Sequence, residues 1–116
     1  MIDVLPETRQ YCQRINTLVH NGSTSIIAHY YVRYLGDLYG GQIISRRLQS
    51  SLGLEANQLS WYRFDPARSL QQHRHELRAA INACLPEQGR TSEIIDEALV
   101  AFRHNIEVSE AVAALP

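Results

Sequence analysis

The stretch Ile26–Gln42, IIAHYYVRYLGDLYGGQ, decides the fold. Its apolar residues recur at helical spacing: Ile27, Tyr31, Tyr34 or Leu35, and Leu38. That spacing predicts a helix. The same run carries Gly36, Gly40 and Gly41. Each glycine costs a helix interior about 1 kcal/mol relative to alanine, so the three together cost roughly 3 kcal/mol. Close approach of another body to the backbone is the usual compensation. One carboxylate, Asp37, stands among the glycines. Two readings follow. Gly36 and Gly40, four apart, share a face and would let a second helix pack closely. Alternatively they admit a ligand, and the glycine-lined helix with its single acid is a candidate site.

Working outward, helix signals bracket this stretch on both sides. Pro6 suits a first helical turn and Glu7 adds an acid where the helix dipole favours one. Tyr11, Ile15 and Leu18 follow at spacings of four and three, and Asn21-Gly22 reads as a left-handed stop. Ser23 or Thr24 is expected to cap the central helix, which runs from about Ser25 to Leu52, bends at the glycines and ends at Gly53. Residues 54–66 read as a connection whose aromatics, Trp61, Tyr62 and Phe64, are expected to plug the core. Asp65-Pro66 is a start signal for a third helix over about Ala67 to Cys84, with apolar positions Leu70, Leu77, Ile81 and Cys84. Pro86 to Gly89 reads as a turn. Thr91 or Ser92 caps a fourth helix, with Glu93, Asp96 and Glu97 in its first turns. Its apolar stripe is Ile95, Ala98 or Leu99, Phe102, Ile106 and Val112. Asn105 interrupts that stripe and is either satisfied by a neighbour or part of a polar network. No segment alternates with period two, so the chain reads as all-α, with four helices in one domain over 1–116.

Composition narrows the function classes. A chain of 116 residues with 45% hydrophobic content suits one globular domain. A net charge of −1 gives no global field for nucleic acid or anionic lipid. All 11 basic residues are arginine, the better planar partner for carboxylates. Cys12 and Cys84 match no metal or redox spacing and are expected to be buried small hydrophobes. The first nine residues lack the apolar core of a signal peptide, and no run of eighteen apolar residues predicts a membrane span. The expected compartment is the cytoplasm.

The five histidines, His20, His29, His73, His75 and His104, form no HExxH or other metal-ligand spacing. Arg74 and Arg78 lie one turn apart with His75 beside them. They form either a solvated face or a clamp for anionic groups. A glycine-thinned helix with one acid, two arginines on a second helix and an asparagine in a third stripe suit a flat, largely apolar ligand carrying carboxylates.

IIAHYYVRYLGDLYGGQ resembles the distal-helix signature of heme oxygenases. Comparable residues continue through the chain: Tyr11 with Arg14, the aromatic stretch Trp61 to Pro66, the Arg74/Arg78 pair, and Ala101-Phe102 followed by Asn105-Ile106. The resemblance implies heme as both substrate and cofactor. Gly36, Gly40 and Gly41 would let the distal helix lie against the heme face. Asp37 would hold a water network that delivers protons during attack on a ring meso carbon. Arg74 and Arg78 would pair with the propionates. Tyr31 and Asn105 match members of the distal polar network, Tyr11 and Arg33 are further candidates, and Phe102 matches an apolar wall. Cleavage would yield biliverdin, carbon monoxide and ferrous iron, with electrons from a ferredoxin or a reductase.

The resemblance covers only the C-terminal half of a usual heme oxygenase, and the proximal histidine that binds iron belongs to the other half. None of the five histidines here stands at its position, and His20, His73 and His75 are the candidate axial ligands. A non-catalytic heme carrier or sensor, and a helical dimerisation module, are the alternative functions. Four helices without the other half would expose a broad apolar face. A homodimer, or a separate chain carrying the N-terminal half, would cover it. Because Met1 precedes a cleanly capped helix, the homodimer is the expectation.

Overall fold

In a computed structural model of the chain, residues 3–64, 69–84 and 91–116 are described. The helices are α1 (Pro6–His20), α2 (Ile26–His29), α3 (Gly36–Leu52), α4 (Leu70–Cys84) and α5 (Thr91–Ala113). A π-helical turn, Tyr30–Leu35, lies between α2 and α3, and a 3-10 helix, Ala56–Tyr62, follows α3. No strand occurs among the described residues, so the fold is all-α as expected. The described residues group into two compact units, 3–32 with 91–116, and 33–64 with 69–84.

The first unit packs α1, α2 and α5. Pro6 opens α1 as expected, and Gly22 follows its end with φ +63°, the left-handed conformation that glycine adopts without strain. The Ser23 hydroxyl accepts from the Ser25 backbone N–H at 3.2 Å, a local turn bond, but the N-cap of α2 is Ser25 and no side chain caps it, so neither Ser23 nor Thr24 takes the expected role. Leu18, Ala28 and Ala101 are the buried apolar residues here.

On α5 the buried face differs from the expected stripe. Glu97 and Ala101 are buried, whereas Ile95, Leu99, Phe102, Ile106 and Val112 are all exposed. Spacings of four, three and four put Ile95, Leu99, Phe102 and Ile106 on one side of the helix. This side is the uncovered apolar face that a half-length relative is expected to show. The small residues Ala98 and Ala101, together with polar groups that find partners, let the opposite side pack instead.

The second unit packs α3 against the 3-10 helix and α4. Leu38 is completely buried, with Leu35 and Leu59 nearly so. Gly53 ends α3 at φ +63°, as its position predicts. The expected long central helix is interrupted, but not at the glycines. Its irregularity is the π turn immediately before Gly36, where i→i+5 bonding widens one turn and shifts the phase of the side chains. Tyr31, expected on the apolar stripe, is exposed there.

The 54–66 connection contains the 3-10 helix, closed by Glu55 N–H donating to Gln58 Oε1 and Arg63 Nη2 donating to the Ala56 carbonyl. Leu59 plugs the core; Trp61 does not, being 66% exposed. The Asp65-Pro66 start and the turn at 86–89 lie outside the described residues. Cys12 and Cys84 are exposed rather than buried. Cys12 lies off the Tyr11, Ile15, Leu18 face of α1, and Cys84 closes α4, a helix with no fully buried residue.

Candidate functional site

The expected site residues divide between the two units. Gly36, Asp37, Gly40, Gly41, Arg74 and Arg78 belong to the unit of residues 33–64 and 69–84, whereas Tyr11, Tyr31, Phe102 and Asn105 belong to the other.

The three glycines are not equivalent. A β-carbon built on Gly36 or Gly40 meets no heavy atom within 4 Å among the described residues. Neither glycine therefore serves a helix–helix contact there, and both have a negative φ that alanine could adopt. Gly41 is the exception. Its β-carbon would stand 2.9 Å from Tyr62 Cδ1. The sequence placed all three on a ligand face, but the space beside Gly41 holds the Tyr62 ring. Gly36 and Gly40 alone keep a bare helix surface that a flat body could approach.

Asp37 is oriented by two donors. Arg33 Nε lies 3.3 Å and Trp61 Nε1 3.3 Å from the same oxygen, Oδ2. The Arg33 guanidinium also lies 5.9 Å from the centre of the Trp61 ring. Beside this acid is a cavity of about 310 Å³ lined by Tyr34, Asp37, Trp61, Arg63, Phe64 and His73. His73 meets Tyr34 and Phe64 edge-on, and its Nδ1 is buried with no hydrogen-bond partner.

Arg74 reaches α3 directly. Its Nε and Nη2 donate to the Leu38 carbonyl at 3.3 and 2.9 Å, and its guanidinium stacks 4.5 Å from the Tyr39 ring centre. Arg78 Nη1 donates to the Tyr39 hydroxyl at 3.5 Å. A groove of about 930 Å³ carries both arginines with His75, Tyr39 and Asn82. Arg74 thus fastens α4 to the glycine helix while lining an open cationic groove. His75 and His20 are exposed. Among the described residues no three histidine, cysteine, aspartate or glutamate side chains group into a metal site.

In the other unit, Asn105 is satisfied within the protein: its Nδ2 donates to the Tyr11 hydroxyl at 3.1 Å and to the Ala101 carbonyl at 2.8 Å. Tyr11 stacks on His104 at 5.2 Å and tilts against His29 at 5.7 Å. Phe102 and Tyr31 are exposed.

Sequence reasoning missed the strongest polar cluster in this unit. Glu97, only 5% exposed, accepts from Arg14 Nε at 2.9 Å and Nη2 at 2.6 Å, and meets His29 Nε2 at 2.7 Å. The Arg14 hydrogen bond holds the Glu97 carboxyl below its ordinary value, against the opposing effect of burial, with the His29 bond adding to the lowering. The same bond raises Arg14 above its ordinary value. The ionised carboxylate makes His29 Nε2–H the donor. Residues 14, 29 and 97 carry no local pattern that links them. The one available signal was a histidine embedded in the apolar run before the glycines.

Comparison with known proteins bears on this arrangement. The family model described as heme oxygenase matches residues 1–111. A heme oxygenase of Takifugu rubripes is 36% identical over 104 residues, covering 89% of this chain and 38% of the relative. One from Rhodella violacea is 31% identical over 104 residues, covering 89% and 44%. Heme oxygenase 1 of Gallus gallus is 31% identical over 110 residues, covering 93% and 37%. The chain spans less than half the length of these curated relatives.

Proposed function

The chain belongs to the heme oxygenase family, and from that premise we propose that it binds heme against the Gly36–Gly40 surface and takes part in its oxidative cleavage to biliverdin, carbon monoxide and ferrous iron. The observation that carries this reading is the open space at Gly36 and Gly40, where two glycines that no contact among the described residues requires leave the helix bare beside an oriented acid. A heme plane fits such a surface because a β-carbon at either position would hold it off the backbone. Bound there, heme supplies the iron chemistry that activates oxygen.

The chain's own residues bind, orient and handle protons. Arg74 and Arg78 hold carboxylates at the groove edge, as charge-assisted donors. Asp37 is fixed through Oδ2 by Arg33 and Trp61. Its Oδ1 orders water and passes protons. In the other unit Asn105 and Tyr11 form a polar pair of their own. Electrons come from an external ferredoxin or reductase.

The exposed face of α5, Ile95 with Leu99, Phe102 and Ile106, requires cover. A second copy of the chain covers it, and His20, His73 and His75 are the candidates that would hold the iron. Sedimentation velocity tests this: a dimer supports the second copy, and a monomer removes it. No helix among the described residues is long and apolar enough to cross a membrane.

The experiment is hemin addition followed by reductant and oxygen. Biliverdin absorption supports cleavage. A stable ferric or oxy spectrum makes the protein a carrier or sensor, and no Soret band removes the heme reading. Asp37→Asn is expected to stop or redirect turnover, and unchanged biliverdin formation would remove the role given to Asp37.

A further inference from the structure

The contacts around Gly41 connect a backbone detail to the acid one turn earlier. Because Gly41 has no side chain, the Tyr62 ring lies against the helix at that point. Gln42 Nε2 donates to the Tyr62 carbonyl at 2.7 Å, tying the end of the 3-10 helix to α3. These two contacts place Trp61, the residue before Tyr62, beside Asp37, and the indole N–H reaches Oδ2. Burial does not explain Trp61: it is two-thirds exposed, and Leu59 fills the core. Its indole N–H meets the acid. Arg33 approaches the same oxygen from the π turn that precedes α3 and faces the indole ring. Both donors converge on Oδ2, and no protein donor among the described residues reaches Oδ1. A carboxylate held through one oxygen presents the other in a fixed direction.

We propose that Trp61 is a positioning residue for Asp37: its indole N–H, with Arg33, locks the carboxylate so that Oδ1 alone meets water and substrate. Gly41 and Tyr62 serve this geometry by setting where the indole stands. The proposal rests on the reading of Asp37 as the proton-handling acid, and its consequence is specific. The ring of Trp61 is dispensable, whereas its N–H is not.

The chain has one tryptophan, so the heme-free protein gives a single indole N–H cross-peak in a 1H–15N spectrum. That peak is expected to move upfield in Asp37→Ala, as the hydrogen bond is lost, while the backbone spectrum away from residues 33–64 is unchanged. An indole peak that stays in place in Asp37→Ala overturns the contact. Trp61→Phe, which keeps a ring and removes only the donor, is expected to lower turnover about tenfold, the scale of one hydrogen bond to a charged group, with hemin affinity within about twofold of the native protein. Native turnover in Trp61→Phe, alongside loss of turnover in Asp37→Asn, overturns the positioning role and leaves the acid's role standing. Native turnover in Asp37→Asn overturns the acid's role and the positioning role with it.

Discussion

Alanine substitution at the three glycines is expected to give opposite signs from neighbouring positions. At Gly40, in the interior of α3, a β-carbon enters open space and φ is negative. Gly40→Ala therefore meets no steric opposition and gains about 0.4–1 kcal/mol, chiefly by restricting the unfolded chain. Gly36→Ala, at the first turn of α3, gains at the lower end of that range, about 0.4 kcal/mol. Gly41→Ala has the same helix-propensity gain, but its methyl stands 2.9 Å from Tyr62 Cδ1. The ring must move, and it is tied down by the Gln42 bond to its own carbonyl. Overpacking of this kind costs about 1–3 kcal/mol, so the net effect is a loss of about 1 kcal/mol. Gly40→Ala and Gly41→Ala should thus differ by about 2 kcal/mol, roughly thirtyfold in the folded-to-unfolded ratio. Urea denaturation of the heme-free protein, followed by far-UV circular dichroism, measures this directly. On the proposed heme surface the two stabilising substitutions should also weaken hemin binding, since each puts a methyl against the ligand plane. Gly40→Ala costing 1 kcal/mol or more would mean that a protein surface packs there, and a stabilising Gly41→Ala would refute the Tyr62 contact.

The buried carboxylate gives a second prediction. Glu97→Ala leaves the His29 Nε2–H without an acceptor, while Arg14, 41% exposed, is partly resolvated. A loss of about 2–3 kcal/mol is expected by urea denaturation at neutral pH. Because folding lowers the Glu97 carboxyl, its stabilisation is complete above the ordinary glutamate range and vanishes as pH falls through the depressed folded value. The gap between native protein and Glu97→Gln should therefore close in acid, and a gap that widens there would contradict the ion pair. Tyr11→Phe removes one partner of Asn105 and should cost about 1 kcal/mol; no change would mean that the Ala101 carbonyl suffices. Arg74→Ala should weaken hemin affinity and also cost about 1 kcal/mol of stability, because its guanidinium holds the Leu38 carbonyl. A stability loss with unchanged affinity would confine Arg74 to fastening α4.

Helix content and most helix ends were legible because they depend on local chemistry. Pro6, Gly22 and Gly53 act where they stand in the sequence. The π turn was not legible: the glycine cluster predicted a bend, but the widened turn falls just before it, where no glycine or proline marks it. The face of α5 was misread for a different reason. Periodicity finds an apolar stripe but cannot say what covers it, and here the packed side is the one carrying Glu97, Ala101 and Asn105. Of the site, the single acid and the open glycines were visible as residue types in an unusual helix. That Gly41 faces Tyr62, that Trp61 holds Asp37 and that Arg14 joins His29 at Glu97 all depend on pairs far apart in sequence.

The central claim is that the bare surface at Gly36 and Gly40 receives heme. A side-by-side hemin titration of the native chain and the Gly36→Leu/Gly40→Leu double variant tests it most directly. A β-carbon meets no described atom within 4 Å at either position, and the helical circular dichroism of the variant is checked alongside. The native chain should develop a saturable Soret band that the folded variant lacks. An equal band from both proteins would place the ligand elsewhere and contradict the account.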